Sequence, residues 1–450
     1  MKRSVFSLFT CLLFSLFSIS TQAQVNAGDS VMSHARGNQL SIGGYGEVAM
    51  SRNFYSDNSH RYTHAAQYKD DPSHGRFDIP HAVIYLSYDF GKGWTMSTEI
   101  EFEHTGTGSA VEYETEEGIE YEQEQEKGGE VALEQFWIQK SFSKAFNIRM
   151  GHIIVPVGLN NAHHEPLHFF TVYRPEGENT ILPSTWHDTG LSLWGRYGDF
   201  RYELTATAGL DAFLFNRDGW IHNGAGSPFE YKVANQYGFS ARLDNYTLPG
   251  LRIGISGFYG NSMHNAAPQD QVGYIWDKTN QVQTDNKKTY DDLKGKVMIG
   301  SVDFTYKGYN WIVRGQADYG KIDDPIRIKN AKASKARMSG SPYSNSNVGE
   351  KAMAIGIEAG YDIFSQIHKL KADKQKLYVF GRYEHYNPYI PADGDDEYQF
   401  TEKKRIAVGI NYYPIPQIAI KGEFSKRFLK SQYNNEPSIN IGIAYEGFFM

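Results

Sequence analysis

Residues 251–259 read LRIGISGFY, and in this stretch apolar residues alternate with small or polar ones. Leu251, Ile253 and Ile255 fall on one phase, and Arg252 falls on the other. Such a period of two is typical of a β-strand with one apolar and one polar face. The pattern recurs in FRYELT at 200–205 and in INIGIAY at 439–445. From about Gln39 onward we therefore expect an all-β protein.

The same alternation predicts sixteen strands. They lie near 39–54, 77–90, 94–104, 131–142, 145–154, 189–197, 200–210, 236–244, 251–259, 296–306, 311–319, 352–362, 376–386, 404–413, 418–428 and 437–449. Most are about 9–13 residues long, which is the length of a tilted strand that crosses a bilayer. Aromatic residues at the strand ends, such as Tyr85, Phe90 and Trp94, are typical of the girdles at membrane interfaces.

The predicted connections alternate between short and long. The short ones lie at 91–93, 143–144, 198–199, 246–250, 307–310, 363–375 and 414–416, and the other eight are long loops. This alternation predicts a 16-stranded antiparallel transmembrane β-barrel with short periplasmic turns and long extracellular loops. Paired β-sandwiches or a propeller would also contain many strands, but they predict no strict alternation of the loops.

The composition excludes several classes of protein. The chain has 450 residues, a formal charge of -7, a mean hydropathy of -0.52 and 14% aromatic residues. It is too rich in aromatic residues for a disordered chain, and it lacks the excess of basic residues that nucleic-acid binding needs. Only the first residues form a long apolar run, so we do not expect a helical membrane protein.

The N-terminus predicts export. Lys2 and Arg3 precede an apolar run at 5–19, and small residues lie at Thr21 and Ala23. We therefore expect a signal peptide at 1–23, a short periplasmic segment at 24–38 and the barrel at 39–450, in the outer membrane of a Gram-negative bacterium. Because the one cysteine, Cys11, lies in the signal peptide, no disulfide is expected.

Residues 149–159 read RMGHIIVPVGL; Arg174 and Pro175 follow, and then residues 188–195 read DTGLSLWG. A strand that ends in Gly-x-x-x-x-Pro-x-Gly, a long loop and then Asp-x-Gly resembles the phosphate-selective porin O and P family. The resemblance extends to the strand layout of the whole mature chain. It implies an outer-membrane channel, a homotrimer, and a third long loop that folds inward as a constriction. The family's Arg ladders and Lys cluster do not map residue by residue onto this chain.

The polar phase of the strands predicts which side chains line the lumen. We expect strands five to eleven to present Arg149, Arg196, Arg201, Arg242, Arg252 and Arg314, whereas the first three strands present only acids. We hypothesise that the transverse field between these walls orients small polar or zwitterionic solutes. The constriction loop would contribute Glu165, Arg174 and Glu176, with the two acids facing the Arg wall. Alternatively, these charges form salt bridges that merely fill the barrel.

The second long loop is acidic. At 112–130 it would disfavour anions at the pore mouth and collect cations.

Residues 164–168 read HEPLH, which matches the zinc-peptidase pattern, but Pro166 opposes the helix that would bring both histidines to one metal. We therefore predict no enzyme, no cofactor and no metal site.

The sequence thus favours a porin that allows passive diffusion of small polar solutes or ions, including phosphate or other anions, with outer-membrane lipid as its surroundings. Two alternatives stay open. One is a non-conducting barrel that acts as an adhesin through its long loops, and the other is a soluble secreted glycan-binding protein.

Overall fold

The computed structural model of the chain describes residues 39–104, 130–227, 231–265, 272–277, 282–289, 292–336 and 346–449. The predicted signal peptide at 1–23, the segment at 24–38 and nearly all of the acidic 112–130 loop lie outside the described residues.

Nineteen β-strands account for most of the described chain. They are β1 (Leu40–Asn53), β2 (His74–Asp78), β3 (His81–Gly91), β4 (Trp94–Glu103), β5 (Glu130–Ser143), β6 (Phe146–Ile154), β7 (His187–Tyr197), β8 (Phe200–Thr207), β9 (Gly238–Asn245), β10 (Leu251–Asn261), β11 (Val272–Asp277), β12 (Val282–Thr289), β13 (Lys296–Gly308), β14 (Trp311–Ile322), β15 (Lys351–Asp362), β16 (Lys376–Ile390), β17 (Lys403–Ile415), β18 (Ile418–Phe428) and β19 (Glu436–Phe448).

The strands close into a 16-stranded antiparallel barrel, as the sequence predicted. Closure comes from β1, which pairs with β19 through Val48 and Ile443. β2 and β3 share one position of the barrel, because β1 pairs with β2 at Ser51 and with β3 at Ile42. Each of the sixteen positions in the barrel wall therefore has two neighbours, and the wall closes without an open edge. β11 and β12 pair with each other in a separate hairpin.

The sequence predicted one strand at 77–90, but the structure has two strands there, β2 and β3. The predicted strand is interrupted between β2 and β3 at Pro80, which has no N–H to donate to the ladder. The strand also begins earlier than predicted, at His74.

The connections alternate in length as expected, with one exception. Six turns are short, and they fall at 92–93, 144–145, 198–199, 246–250, 309–310 and 416–417. The seventh connection on the same rim, 363–375, is longer than the 429–435 loop on the opposite rim. In the turn after β13, Tyr309 and Asn310 have φ of 50° and 64°, the conformation of a tight two-residue hairpin turn. The long loops leave the opposite rim of the barrel.

Short helices occur in the connections. They are α1 (Leu159–Ala162), α2 (Glu176–Ile181), α3 (Pro325–Ala336) and α4 (His368–Ala372), with 3-10 turns at Ser59–Tyr62, Pro166–His168, Ala212–Leu214, His222–Ala225, Ile363–Gln366 and Gln399–Thr401. Among the described residues, no helix has the length and apolar character needed to span a membrane. The sequence predicted neither α3 nor the β11–β12 hairpin. The proline at the start of α3 suits a first helical turn, but the apolar stripe of that helix is too short to show a period.

The outside of the barrel is apolar. Val48, Ile255 and Ile441 are each about half exposed on this face, while their sequence neighbours point inward. Phe90, Trp94 and Trp311 are exposed near the short turns, in the position of an interfacial girdle. Tyr85 is not part of that girdle, since it is buried inside the barrel against Tyr45. An apolar exterior of this kind is the surface that lipid covers.

Candidate functional site in the lumen

The third long loop, 155–186, leaves the wall after β6 and enters the lumen. Its base is closed by the Val155 N–H, which donates to the Trp186 carbonyl at 2.8 Å. The Asn161 amide reinforces this closure, because it donates to the same carbonyl and accepts from the Trp186 N–H. Nearly all of the loop is buried. The loop therefore occupies the interior of the barrel instead of projecting from its mouth.

The tip of this loop is fastened to the opposite wall. Lys421 on β18 points inward, and its ammonium donates to the carbonyls of Pro166, Phe169 and Thr171. On the neighbouring strand β17, the Asn411 amide donates to the Phe170 carbonyl at 3.0 Å. The inward wall thus supplies the polar partners that an irregular buried segment needs.

Glu178 organises the near part of the loop. Its carboxylate accepts from the backbone N–H groups of Leu159, Asn160 and Asn161, at the first turn of α1. Burial raises the pKa of this carboxyl to about 7, and the nearby Asp303 carboxylate acts in the same direction. In the same region, burial lowers the pKa of the His163 imidazole well below its usual value, so this ring is neutral at pH 7.

A second loop also enters the barrel, which the sequence did not predict. Residues 208–227 place Phe213, Phe215 and Trp220 in one apolar cluster with Ile181 and Trp186 of the third loop. Trp220 lies so close to the wall that a Cβ at Gly320 would lie 2.0 Å from its ring. The fourth long loop therefore supports the third and narrows the lumen further.

The six arginines predicted for the lumen wall lie on inward or partly inward positions. Arg201, Arg242, Arg252 and Arg314 are almost fully buried, Arg149 is buried, and Arg196 is half-buried near a short turn. Arg149 lies over the Trp137 ring, 4.5 Å from its centroid. The alternation of apolar and polar residues thus predicted the direction of these side chains.

The arginine wall also carries acids. Arg242 contacts both Asp244 and Asp303, at 2.8 and 3.0 Å, and Arg252 contacts the same two carboxylates. Arg201 lies 2.7 Å from Glu203 on its own strand. Asp244 was not predicted to line the lumen, although it lies two residues after Arg242 and therefore faces the same side of the strand. Acids interleaved with the arginines reduce the transverse field that the arginines alone would create.

The three predicted loop residues occupy different places. Glu176 does not face the predicted Arg wall; it pairs with Arg405 on β17 at 3.2 Å and with Arg427 on β18. Glu165 does not face that wall either, because it pairs with His168 of its own loop at 2.9 Å. That expectation was therefore wrong for both acids, since the loop crosses the lumen and its acids meet the opposite side. Arg174 contacts Glu101 at 3.6 Å and the Tyr45 hydroxyl at 3.2 Å.

A polar cavity of about 700 Å³ lies beside this loop, toward the long-loop rim. Its lining combines bases, acids and neutral polar groups, with Arg174, Glu176, Arg405 and Arg427 at its base. Arg405 was missed from the sequence, although the exposed Ile406, Val408 and Ile410 on the same strand place it on the inward phase. The arrangement can hold a hydrated polar or charged small molecule.

Comparisons with known proteins agree with the fold. No family model matches the chain. A protein of Aquifex aeolicus (strain VF5), described only as uncharacterized, is 26% identical over 408 residues, which cover 88% of this chain and 78% of that protein. Among solved structures, the anion-selective porin from Comamonas acidovorans has a TM-score of 0.52 at 9% identity, covering 91% of this chain and 99% of its own. OprB of Pseudomonas putida at high pH has a TM-score of 0.49 at 9% identity, covering 96% of this chain and 100% of its own. The Comamonas likeness shows a shared barrel fold.

Proposed function

We propose that the chain is a porin of the outer membrane of a Gram-negative bacterium, exported by a signal peptide at 1–23. Small polar solutes or ions, including phosphate or other anions, diffuse through it passively. The observation that carries this proposal is the barrel itself, which is apolar outside, charged inside and narrowed by an inserted loop beside a polar cavity. A water-filled lumen of this kind suits solutes that do not cross lipid.

The finer proposal is a relationship to the phosphate-selective porin O and P family. It is supported by the way the motif residues shape the loop entry. Gly158 has a φ of 84°, and a Cβ there would lie 2.3 Å from the Glu178 carboxylate. Asp188, near the start of β7, accepts from the Gly209 N–H and pairs with Lys232 at 2.9 Å, which fastens the fourth loop to the strand that follows the third. We also propose a homotrimer, which the family resemblance implies.

The charges around the cavity suit more than one kind of solute. Arg174, Arg405 and Arg427 at the base of the cavity attract anions, but each also contacts a carboxylate. A surface of alternating charges favours small polar and zwitterionic molecules together with anions, and it gives no strong preference for phosphate alone.

A second candidate function is a non-conducting barrel whose long loops form a binding surface. The observation that favours it is the extent to which loops 155–186 and 208–227 fill the lumen, with Phe213, Trp186 and Trp220 fully buried there. Solute flux separates the two functions.

Liposome swelling tests the proposal. Refolded protein is placed in liposomes, and swelling is followed in isotonic glycine, glucose and a larger oligosaccharide. A porin gives swelling rates that fall with solute size, whereas a closed barrel gives the rate of empty liposomes with every solute. Heat-modifiable migration confirms that the barrel is folded in both cases.

A further inference from the structure

Three buried side chains converge where the inserted loop meets the wall. Glu99 on β4, Glu134 on β5 and His164 of the loop are each 1% exposed. One oxygen of each carboxylate and one imidazole nitrogen lie within 4.8 Å of one another. This cluster lies apart from the polar cavity described above, whose lining includes none of the three.

A β-bulge directs Glu134 into the cluster. Glu99 pairs with Gln135, and the next residue, Ile100, pairs with Leu133, so Glu134 is the extra residue of β5. As a result, Glu134 and Gln135 both point inward, although they are neighbours in sequence. Bulges are often found beside functional sites, where they re-aim a side chain.

The remaining polar atoms of the three side chains are already engaged. The second oxygen of Glu99 accepts from the Gln135 amide, and the second oxygen of Glu134 accepts from the Thr185 hydroxyl. His164 Nδ1 lies 3.2 Å from the Asn161 carbonyl. Because a carbonyl only accepts, Nδ1 donates in this contact, and Nε2 is the ring atom that faces the two carboxyl groups. Metal-bound histidines are oriented by the same kind of second contact.

The atoms that face each other are therefore all of types that can bind a metal when they carry no proton. Glu99 Oε1, Glu134 Oε2 and His164 Nε2 are buried and have no hydrogen-bond partner within the described part of the chain. Glu99 Oε1 and His164 Nε2 are 3.6 Å apart, which is too long for a hydrogen bond. Ionised carboxylates and an imidazole lone pair in this arrangement would repel one another, and a cation between them, or a proton on one of them, removes that repulsion.

We propose that Glu99, Glu134 and His164 bind a divalent transition-metal cation, with Zn²⁺ as the best match. Nitrogen and carboxylate oxygen are both zinc ligands, and three protein ligands leave one position for water. The imidazole favours zinc over Ca²⁺ or Mg²⁺, which prefer oxygen ligands alone. Two negative charges balance the ion, and the adjacent Arg174 is occupied by Glu101 and Tyr45.

This site would fasten the inserted loop to β4 and β5, whereas Lys421 fastens it to β18. His164 belongs to the loop, whereas Glu99 and Glu134 belong to neighbouring strands of the barrel. A metal here would give the loop a second point of attachment to the wall. The inference stands independently of the proposed solute flux, because it concerns only the position of the loop.

Metal retention by the full-length folded barrel tests the site. The protein is stripped with a chelator, loaded with Zn²⁺ and dialysed, and its zinc is measured by mass spectrometry. The natural protein is expected to retain about one zinc per chain, and Glu99→Gln/Glu134→Gln to retain only background. His163→Gln is the matched control, because it is an equally buried histidine in the same loop, and it is expected to retain the metal.

A second measurement does not depend on the variants. Cobalt loaded into the natural protein is expected to give visible d–d absorption of a four-coordinate site, and Zn²⁺ is expected to abolish it. The proposal is overturned if the natural protein retains no zinc, or if the double Gln variant, shown to be folded by heat-modifiable migration, retains as much. In the first case a proton or an imidazolium relieves the repulsion, and in the second the ion binds elsewhere.

Discussion

Single residues determine how the lumen is filled. The period-two pattern predicted that Arg201 and Arg242 point inward, because their neighbours are apolar. Lys421 follows the same pattern, but the pattern could not predict its partners, since it meets carbonyls 250 or more residues earlier in the chain. Facing direction is a local property of a strand, whereas partner choice depends on the path of a loop.

Lys421 provides the first prediction. Lys421→Met removes the charged donor that holds three loop carbonyls, so we expect the docked loop to lose about 2 kcal/mol. That loss corresponds to roughly 30-fold more of the opened form. Limited proteolysis within 155–186, which follows the opened population, should speed up accordingly.

The matched control is Lys426→Met on the same strand, whose side chain lies on the outer face beside the ring of Phe428. It is expected to leave the cleavage rate unchanged. An unchanged rate in Lys421→Met would mean that this ammonium does not hold the loop.

Arg427 provides a prediction about selectivity. It lines the cavity and contacts Glu176 and Glu436. Arg427→Gln leaves these acids with one cation fewer, so the ratio of anion to cation permeability should fall about fivefold, the effect of roughly 1 kcal/mol. The reversal potential under a salt gradient measures it.

Lys404→Gln, on the outer face of β17, removes the same charge away from the lumen and should leave the reversal potential where it was. If both variants shift it equally, the cavity does not govern selectivity.

At the scale of elements, the strands were predictable and their irregularities were not. The alternation of apolar and polar residues predicted the strands, because one face of each strand contacts lipid and the other faces the lumen. The bulge at Glu134 depends on how two strands are aligned, which a single strand does not record. The interruption at Pro80 is different, because a proline within a strand pattern already signals a break in the ladder. Loops 155–186 and 208–227 have no period at all, so their entry into the barrel could be inferred only by resemblance, and only for the first of them.

Helix α2 carries a pH prediction through Glu178. Because burial raises the pKa of this carboxyl from 4.5 to about 7, docking of the loop favours the protonated form. This contribution is complete below about 4.5 and is lost as the pH rises through about 7. We therefore expect proteolysis within 155–186 to be faster at pH 8 than at pH 5, relative to an unfolded standard substrate.

Glu178→Gln resembles the protonated form and keeps its shape, so it should remove this pH dependence. If Glu178→Gln shows the same pH dependence as the natural protein, another group is responsible.

At the scale of the whole molecule, closure of the barrel and filling of its lumen are linked. The barrel needs no disulfide, because each position in its wall bonds to two neighbours and the apolar face is turned outward. The interior is then free to hold charges, and many charged side chains are buried there. We expect the width of the path through the lumen to depend on the third loop more than on the number of strands.

Single-channel conductance in planar bilayers tests this account most directly. The natural protein is compared with a variant in which residues 159–182 are replaced by a short Gly-Ser linker, which keeps the closure between Val155 and Trp186. Replacement of residues 430–434 in an outer loop is the control. We predict discrete steps for the natural protein and the control, and steps larger by a factor of about two or more without the inserted loop. Folded protein that conducts no current in either form would contradict the porin, and equal steps in both would contradict the constriction.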